Sequence, residues 1–411
     1  MKIYIFGIGE GKKYLDRCIQ KEIEICGYID NYKAAQLSVL QGKPVIQQNE
    51  LSGDYDFIII TLMKYEAARD DLLAMGIASE KILCFFDFND ASNEGNWDVI
   101  DGFKWRLELM WKHYTEITMS YLDNIDYELY RDSELIKKEC PKILSVEDTV
   151  NILQKERKCL ARFGDGEFEL MLGRSRPNFQ SVDHELSKRL KEALNSEEEN
   201  LLIAIADNYG SLDKYTDEAA RDIRMYMTKE VRKDHMQLLD LNRQYHNAFL
   251  SRPYMIFRDK KNTKRKFDHI KQIWKGEKVL IVEGEHTRFG VGNDLIKESK
   301  SIERIIVPDR NAFDKYKNIK DAVCQYGQDK LILAVIGPTA TILAYDLAKM
   351  NYWIIDIGQL DTEYEWFLRE TDIKCSIKYK NVSEAISYES IDNSMENEDL
   401  KRYNDEIIMK V

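Results

Sequence analysis

The residues of this sequence best suited to chemistry are two carboxylates set among glycines. Asp165 and Glu167 follow the apolar run 158–163 and alternate with Gly164 and Gly166. In an extended or turn-linked segment, this spacing directs both side chains to one side. The glycines let a ligand approach the backbone, and carboxylate oxygens suit Mg²⁺ or Mn²⁺, which would also hold a diphosphate. The alternative is a solvated turn, because Asp-x-Glu is a common pattern.

Four further residues are candidates for binding phosphate groups. Arg162 lies three positions before Asp165, and Arg288 lies in a glycine-rich segment; arginine can hold phosphate through two hydrogen bonds. Thr339 and Thr341 follow Gly337-Pro338, where a buried strand is predicted to turn into a helix whose free N–H groups attract anions. The alternatives are structural. Arg162 would brace the acidic turn, Arg288 would form a salt bridge within its loop, and the two threonines would only cap the helix.

A carboxylate base is needed if a sugar hydroxyl is to attack with inversion, because such a hydroxyl has a pKa far above 7. General bases typically contribute ~10²–10⁴-fold in rate. Glu363 is our candidate, since it follows the last predicted strand at the carboxyl edge, where α/β sites lie. An acidic first turn of a helix is the alternative. Among the histidines, only His286, inside the glycine-rich segment, is singled out for testing.

Two blocks of alternating strands and helices must position these residues. Short β-branched and aromatic runs predict strands over 2–6, 25–29, 56–61 and 82–86 in the first block, and over 158–163, 201–206, 279–282, 302–307, 331–336 and 353–357 in the second. Nearly pure apolar runs are typical of parallel strands covered on both faces. The fold class is therefore α/β, with two Rossmann-like parallel-sheet domains joined by a helical linker. We predict domains over 1–90 and 141–385, a linker over 91–140, and an acidic tail from 386 to 411 with a peripheral helix over 397–408.

A glycine-rich turn follows the first strand. Gly7, Gly9 and Gly11 resemble a dinucleotide-binding fingerprint, but the third glycine belongs at position 12, where Lys12 stands. Asp30, at the end of the second strand, is the acid that could meet a ribose hydroxyl. The alternative is a tight turn that lets the following helix pack on its strand.

Composition excludes several classes of protein. The net charge of −12 argues against a general nucleic-acid binder. The basic segment 258–266 predicts an acidic partner, a membrane surface or merely a solvated face. The uncharged run 331–345 is too short for a membrane span and is broken by Gly337-Pro338. Seven cysteines without a CxxC pair indicate reduced thiols, so we expect a cytoplasmic protein without a transmembrane segment.

Several segments together resemble one enzyme family. The stretch Leu160–Gly173 resembles the hallmark of GT-D type glycosyltransferases, first recognised in the glycosylation of bacterial serine-rich repeat adhesins. Further matching segments follow in the same order: Asp207–Leu212, Ser251–Tyr254, Val282–Asp294, Asn311–Asp314, Ile336–Thr341, Asp356–Gly358 and Asp361–Phe367. They span about 145–385, so the N-terminal block and the linker lie outside the resemblance.

This resemblance implies a Rossmann-like catalytic domain, a UDP-sugar donor and a metal held by Asp165 and Glu167. We therefore expect a metal-dependent glycosyltransferase that uses Mn²⁺ or Mg²⁺. It would move a hexose, by default glucose, to a glycan on a glycoprotein or surface polysaccharide, with other glycosyltransferases as candidate partners. Two rival interpretations stay open. One is an NAD-dependent oxidoreductase built on the N-terminal turn, and the other is a non-catalytic subunit that binds a nucleotide sugar.

Overall fold

The structure, a computed structural model, describes residues 1–16, 19, 22–31, 33–34, 37–87, 103–131, 140–174, 180–377, 379–382 and 397–411. The chain divides into two compact units. The first is built mainly from Met1–Met119, and the second mainly from Ser120–Ile373 and the C-terminal residues. The predicted α/β class with two sheets is confirmed, whereas the predicted domain boundaries stay a prediction.

The first unit is a six-stranded sheet with helices. Its elements are β1 (Lys2–Phe6), α1 (Glu10–Leu15), β2 (Glu24–Ile29), β3 (Val39–Leu40), β4 (Lys43–Ile46), β5 (Phe57–Ile60), α2 (Glu66–Ala74) and β6 (Ile82–Cys84). The strand order is β3-β4-β2-β1-β5-β6, and every pair is parallel except the β3–β4 hairpin. The four predicted strands are present within two residues of their expected ends, while the hairpin was not predicted.

The linker region contains one long helix, α3 (Phe103–Arg131). Its residues up to Met119 belong to the first unit and those from Ser120 to the second. Tyr127 on α3 is buried in the second unit, where its hydroxyl donates to the carbonyl oxygens of Asn208 and Gly210, each at 2.9 Å. The remaining predicted linker residues, 91–102 and 132–139, lie outside the described residues.

The second unit contains a nine-stranded sheet in the order β15-β12-β11-β13-β14-β8-β9-β10-β7. Its strands are β7 (Lys142–Ile143), β8 (Cys159–Phe163), β9 (Leu201–Ile205), β10 (Gln244–Asn247), β11 (Lys278–Gly284), β12 (Ser301–Val307), β13 (Leu331–Val335), β14 (Trp353–Asp356) and β15 (Ile407–Lys410). Its helices are α4 (Val146–Glu156), α5 (Asp165–Met171), α6 (His184–Leu194), α7 (Asp217–Tyr226), α8 (Lys229–Leu238), α9 (Thr263–Lys271), α10 (Tyr316–Tyr326), α11 (Pro338–Ala348), α12 (Leu360–Leu368) and α13 (Asn397–Glu406).

All adjacent strands of this sheet pair in parallel, so their carboxyl ends meet at one edge. The six strands predicted here are confirmed, and β9 is buried along its whole length. Helix α11 is apolar on almost all sides and is therefore buried. Its N-terminus, at Pro338, lies in the interior beside the carboxyl edge of the sheet. The edge therefore collects the ends of β8, β11, β13 and β14, the strands after which the predicted site residues lie.

The C-terminal residues differ from the expected peripheral tail. Helix α13 agrees with the predicted helix, but β15 then pairs in parallel with β12 and extends the sheet. The buried Arg304 guanidinium on β12 holds Glu406 through Nε at 2.7 Å. It also ion-pairs with Glu283 on β11, whose carboxylate is fully buried. A buried charge pair of this kind is strongly destabilised when one partner is lost, so the last residues are part of the sheet's framework.

Candidate active site

The acidic motif forms the first turn of a helix and not the extended segment that its spacing suggested. Strand β8 ends at Phe163, Gly164 is the N-cap residue, and α5 begins at Asp165. The Glu167 carboxylate turns back and accepts the Gly164 N–H through Oε2 at 2.8 Å. Residues two apart on a helix do not face each other, so the spacing alone does not bring the carboxylates of Asp165 and Glu167 together.

The two acids have different surroundings. Asp165 is exposed, whereas Glu167 is half-buried. Burial, and then the nearby carboxylate of Asp356, raises the pKa of Glu167 to about 7. The Gly164 N–H and Arg162 oppose this rise. The Glu167 carboxylate is therefore held in a position where removal from water, more than the neighbouring charge, disfavours its ionised form.

Arg162 is held against β14 by several contacts. Its Nη2 donates to Asp356 Oδ1 at 2.7 Å, its Nε to the Asp356 carbonyl oxygen at 2.9 Å, and its Nη1 to Ser251 Oγ at 2.9 Å. The Asp356 side chain is 4% exposed and that of Arg162 is 20% exposed. Arg162 thus joins β8 to β14 beside the acidic turn, and only a small part of its surface is open to a ligand.

The two threonines at the start of α11 are both fully buried but differ in their hydrogen bonds. Thr341 Oγ1 donates to the Arg162 carbonyl oxygen at 3.0 Å, so it connects α11 to β8. Thr339 Oγ1 has no hydrogen-bond partner among the described residues. Gly337, with φ +57°, precedes Pro338 at the first helical position. Of the two, Thr339 is the hydroxyl that stays available to a phosphate oxygen.

Arg288 and Glu363 are engaged in structural contacts. Arg288 has a φ of +49°, and its Nη1 donates to the Tyr379 carbonyl oxygen at 2.8 Å. Glu363, on α12, is 0% exposed, and its Oε2 accepts the N–H groups of Tyr254 and Met255 at 3.0 and 2.7 Å. Such burial favours a role for Glu363 in fixing the 253–256 turn over that of a base that meets an acceptor hydroxyl.

Asp356 and a histidine–tyrosine cluster complete the surroundings of the acidic turn, and sequence reasoning gave neither a role. His235 stacks on Phe168 of α5, with ring centroids 4.0 Å apart, and its two nitrogens contact the hydroxyls of Tyr209 and Tyr226 at 2.8 and 3.2 Å. Tyr226 also reaches Glu169 Oε1 at 3.3 Å. The position of Asp356 at the end of an apolar strand could have marked it as a site residue. The histidine–tyrosine cluster joins residues far apart in the sequence, so no sequence pattern identifies it.

His286 is paired with an acid at the same edge of the sheet. The ring Nδ1 of His286 lies 2.6 Å from Oδ2 of Asp309, and the backbone N–H of His286 donates to Oδ1 of Asp309 at 3.1 Å. The two residues follow β11 and β12, and the His286 side chain is 35% exposed. A carboxylate that fixes the orientation of a half-exposed imidazole is an arrangement used in general base catalysis.

The N-terminal glycine turn is closely packed against the neighbouring strand. A β-carbon on Gly11 would lie 2.9 Å from the Thr61 carbonyl carbon and closer still to its oxygen, so glycine lets α1 approach β5. Both oxygens of Asp30 accept backbone N–H groups, from Ile8 at 3.2 Å and Lys33 at 2.9 Å. The acid predicted to meet a ribose is engaged within the turn itself.

A parallel sheet with acidic, arginine and helix-terminus groups at its carboxyl edge is an arrangement in which α/β proteins commonly bind ligands. The family described as glycosyltransferase GT-D fold matches residues 160–385, more than half of the chain. This chain therefore belongs to the GT-D glycosyltransferase family, as the sequence resemblance predicted. A second family, described as C2185-like, N-terminal, matches residues 1–83.

Named relatives and solved structures agree with this assignment. The chain is 36% identical over 267 residues to a probable glycosyl transferase Gly of Streptococcus gordonii, covering 65% of this chain and 38% of that protein. It is 33% identical over 278 residues to glycosyltransferase GlyD of Streptococcus pneumoniae, covering 66% of this chain and 32% of that protein. The chain thus spans about a third of the length of these relatives.

Two solved structures resemble the second unit closely. One, described as a new glycosyltransferase from Streptococcus sanguinis, is 34% identical with a TM-score of 0.62, and the match covers 66% of this chain and all of that one. The other, described as a highly conserved domain of unknown function with a distinct glycosyltransferase fold, is 32% identical with a TM-score of 0.62, covering 67% and 97%. Among the residues described here, no helix is both long and apolar enough to cross a membrane.

Proposed function

We propose that this protein transfers a hexose, by default glucose, from a UDP-sugar to a glycan on a glycoprotein or surface polysaccharide, with the help of Mn²⁺ or Mg²⁺. One observation carries the proposal: the acidic turn at Asp165 and Glu167 lies at the carboxyl edge of the sheet, beside Asp356 and the N-terminus of α11. Membership of the family and the names of its relatives support a sugar transfer. The donor and the acceptor are inferred from the resemblance, and the metal from the resemblance together with the chemistry of the two carboxylates.

The residues present fit a metal whose coordination is completed by substrate. Within the described part of the chain, no group of three or more histidine, cysteine, aspartate or glutamate side chains is gathered as a metal site. Mg²⁺ is commonly held by one or two carboxylates together with substrate phosphates and water, so the exposed carboxylate of Asp165, alone or with Glu167, would be sufficient on the protein side. When bound, the cation would offset the negative charge that develops on the leaving diphosphate.

The chain's own residues then divide the work of binding and proton transfer. Thr339 Oγ1 and the N–H groups at the start of α11 are placed to meet phosphate oxygens. Arg162, fixed by Asp356, adds positive charge beside them. For the base that takes the acceptor's proton, we propose His286 held by Asp309 in preference to the buried Glu363. Cys26, Cys159 and Cys324 are free thiols, and a cytoplasmic location is part of this proposal.

The decisive experiment compares Asp165→Asn and Glu167→Gln with Asp217→Asn. Asp217 is likewise the first residue of a helix, so it is matched in its interaction with the helix dipole but lies on an exposed surface. We expect wild type and Asp217→Asn to bind UDP more tightly with Mn²⁺ and to release UDP from a UDP-hexose. Both site variants should lose the Mn²⁺ dependence in calorimetry and the release of UDP.

Two results would contradict the proposal. Unchanged Mn²⁺-dependent turnover in both site variants would remove the metal assignment. Mn²⁺-dependent UDP binding with no UDP release, with any UDP-hexose and a panel of glycan acceptors, would instead point to a non-catalytic subunit that binds a nucleotide sugar.

A further inference from the structure

A separate cavity of about 340 Å³ opens at the carboxyl ends of β9 and β10. It lies between the N-terminus of α4 and helix α9, whose first turn contains the last residues of the basic segment 258–266. None of the residues assigned above to the donor, the metal or the base lines it. Its volume lies within the range typical of small-molecule sites, roughly 300–1,000 Å³.

The charged groups of this cavity are unevenly matched. Its two carboxylates already have partners: Lys214 forms an ion pair with Asp207, and Arg265 Nη2 lies 2.9 Å from Glu147 Oε1. The side-chain ammonium of a third cation, Lys266, forms neither an ion pair nor a hydrogen bond within the described ranges, and the charge of Asp259 only partly opposes the effect of its burial. Its ammonium lies 4.1 Å from the centroid of the Phe257 ring. The lining therefore has an excess of one positive charge, located at Lys266.

The environment of Lys266 makes this missing counter-ion costly. The residue is half-buried, and burial lowers the pKa of its ammonium. Partial removal from water penalises a charge unless an opposite charge or hydrogen-bond acceptors replace the solvent. The ring of Phe257 compensates only in part, because a cation–π contact at a partly exposed site is worth about 0.5–2 kcal/mol. An anion in the cavity would supply the missing partner.

The remaining lining is suited to a sugar ring. The polar lining at the strand ends includes the Asp207 carboxylate, which already holds Lys214, and the Asn247 amide, which already bonds to Leu144 and Phe249. Val150, Phe257 and Ile270 provide apolar surface. Hydroxyl groups need donors and acceptors together, and the CH faces of a pyranose need apolar contacts. Lining of both kinds, with one surplus cation, matches a sugar that carries a single acidic group.

We propose that this cavity binds an acidic sugar, a hexose bearing a phosphate or a carboxylate, and that this sugar is the acceptor end of the glycan. The acceptor role rests on the proposed function, whereas the binding of the acidic sugar does not. The phosphate and the carboxylate share the same recognition by Lys266, so two ligands are needed to tell them apart.

The test uses the full chain and a matched pair of lysines. Lys266→Met removes the charge but keeps a long apolar side chain over Phe257. Lys264→Met, on the same helix, removes an 80% exposed lysine that pairs with Asp268 and does not line the cavity. Glucose 6-phosphate, glucuronate and glucose are titrated by calorimetry into wild type, both variants and Lys266→Arg, whose charge should restore binding. Thermal unfolding midpoints verify that each variant is folded.

We expect at least one acidic sugar to bind wild type, Lys264→Met and Lys266→Arg similarly, and to bind Lys266→Met roughly 10- to 100-fold more weakly, the loss of one charged hydrogen bond. Glucose should bind weakly and equally to all four proteins. The tighter of the two acids identifies the acidic group.

Three results would overturn the proposal: neither acid binds, Lys264→Met loses as much affinity as Lys266→Met, or UDP with Mn²⁺ displaces the acid and is itself weakened by Lys266→Met. The last result would assign the cavity to the donor diphosphate. If acidic sugars bind as expected while no UDP-hexose is turned over, the proposed function fails and the cavity assignment stands.

Discussion

Gly358 offers a direct test of how the active-site edge is built, because it lies against the guanidinium of Arg162. Its φ is +54°, and an added β-carbon would lie 2.5 Å from Arg162 Cζ, 2.8 Å from Nη1 and closer still to Nη2. Gly276 is the matched control, since its φ is +74° but nothing lies within 4 Å of the corresponding β-carbon. Gly358→Ala and Gly276→Ala therefore share the backbone cost and differ in the clash with Arg162.

The magnitudes follow from these two contributions. A left-handed backbone costs an alanine about 1–2 kcal/mol, which is the whole expected effect of Gly276→Ala. Gly358→Ala must also displace Arg162 from the buried carboxylate of Asp356, and breaking a buried pair by removing one partner costs about 3–5 kcal/mol. Because Arg162 is 20% exposed, we take the lower end of this range. Together with the backbone cost, Gly358→Ala should lose about 4 kcal/mol of unfolding free energy.

Urea unfolding at neutral pH measures both variants, and UDP release from a UDP-hexose measures the consequence for the site. We expect Gly358→Ala to lose UDP release at temperatures where it is still folded, and Gly276→Ala to keep it. Equal destabilisation of the two variants would refute the reasoning, because it would show that Arg162 moves aside without losing Asp356.

Three further comparisons test the surroundings of the site. Burial lowers the pKa of His235 to about 4, so the unfolded chain binds a proton before the folded protein does as the pH falls below about 6.5. Between pH 7.5 and 5, the unfolding free energy of wild type should therefore fall by about 2 kcal/mol more than that of His235→Gln. Parallel pH profiles of the two proteins would contradict this. Thr341→Val should destabilise by about 1 kcal/mol, whereas Thr339→Val should keep stability and weaken UDP binding in calorimetry; unaltered UDP affinity would exclude the phosphate contact. Glu363→Gln should lower the unfolding free energy by about 1–3 kcal/mol and retain UDP release. His286→Asn should keep its stability and release UDP ~10²-fold or more slowly. The reverse pattern would make Glu363 the base.

The sequence predicted the framework well because its strands are dense apolar runs. The predicted strands 201–206 and 331–336 correspond to β9 and β13 within one residue at either end, and both are almost entirely buried. Short strands with polar residues gave no such signal. The β3–β4 hairpin and the edge strands β7 and β15 depend on pairing with neighbours far along the chain, so neither periodicity nor propensity identifies them.

The position of the acidic residues was predictable, but their secondary structure was not. The glycines around Asp165 suggested an extended or turn-linked segment, whereas Gly164 caps a helix that begins at Asp165 and Glu167 closes the cap. A glutamate at the third helical position is a known capping signal and could have been read from the sequence. The contact between Arg162 and Asp356 joins residues 194 positions apart, and no local pattern predicts it.

The helical start changes what each carboxylate can do. Glu167 satisfies the Gly164 N–H and has Asp356 and Arg162 as its charged neighbours, so it belongs to the fixed frame of the sheet edge. Asp165 is exposed, and its charge opposes only in part the burial that lowers the pKa of His235 on α8. Because the two acids differ in this way, the proposed metal ion, arriving with the diphosphate, would meet Glu167 already fixed in position and Asp165 able to adjust. The edge of the sheet, and not the Asp-x-Glu spacing, therefore defines the site, since it alone brings Glu167, Arg162 and Asp356 together.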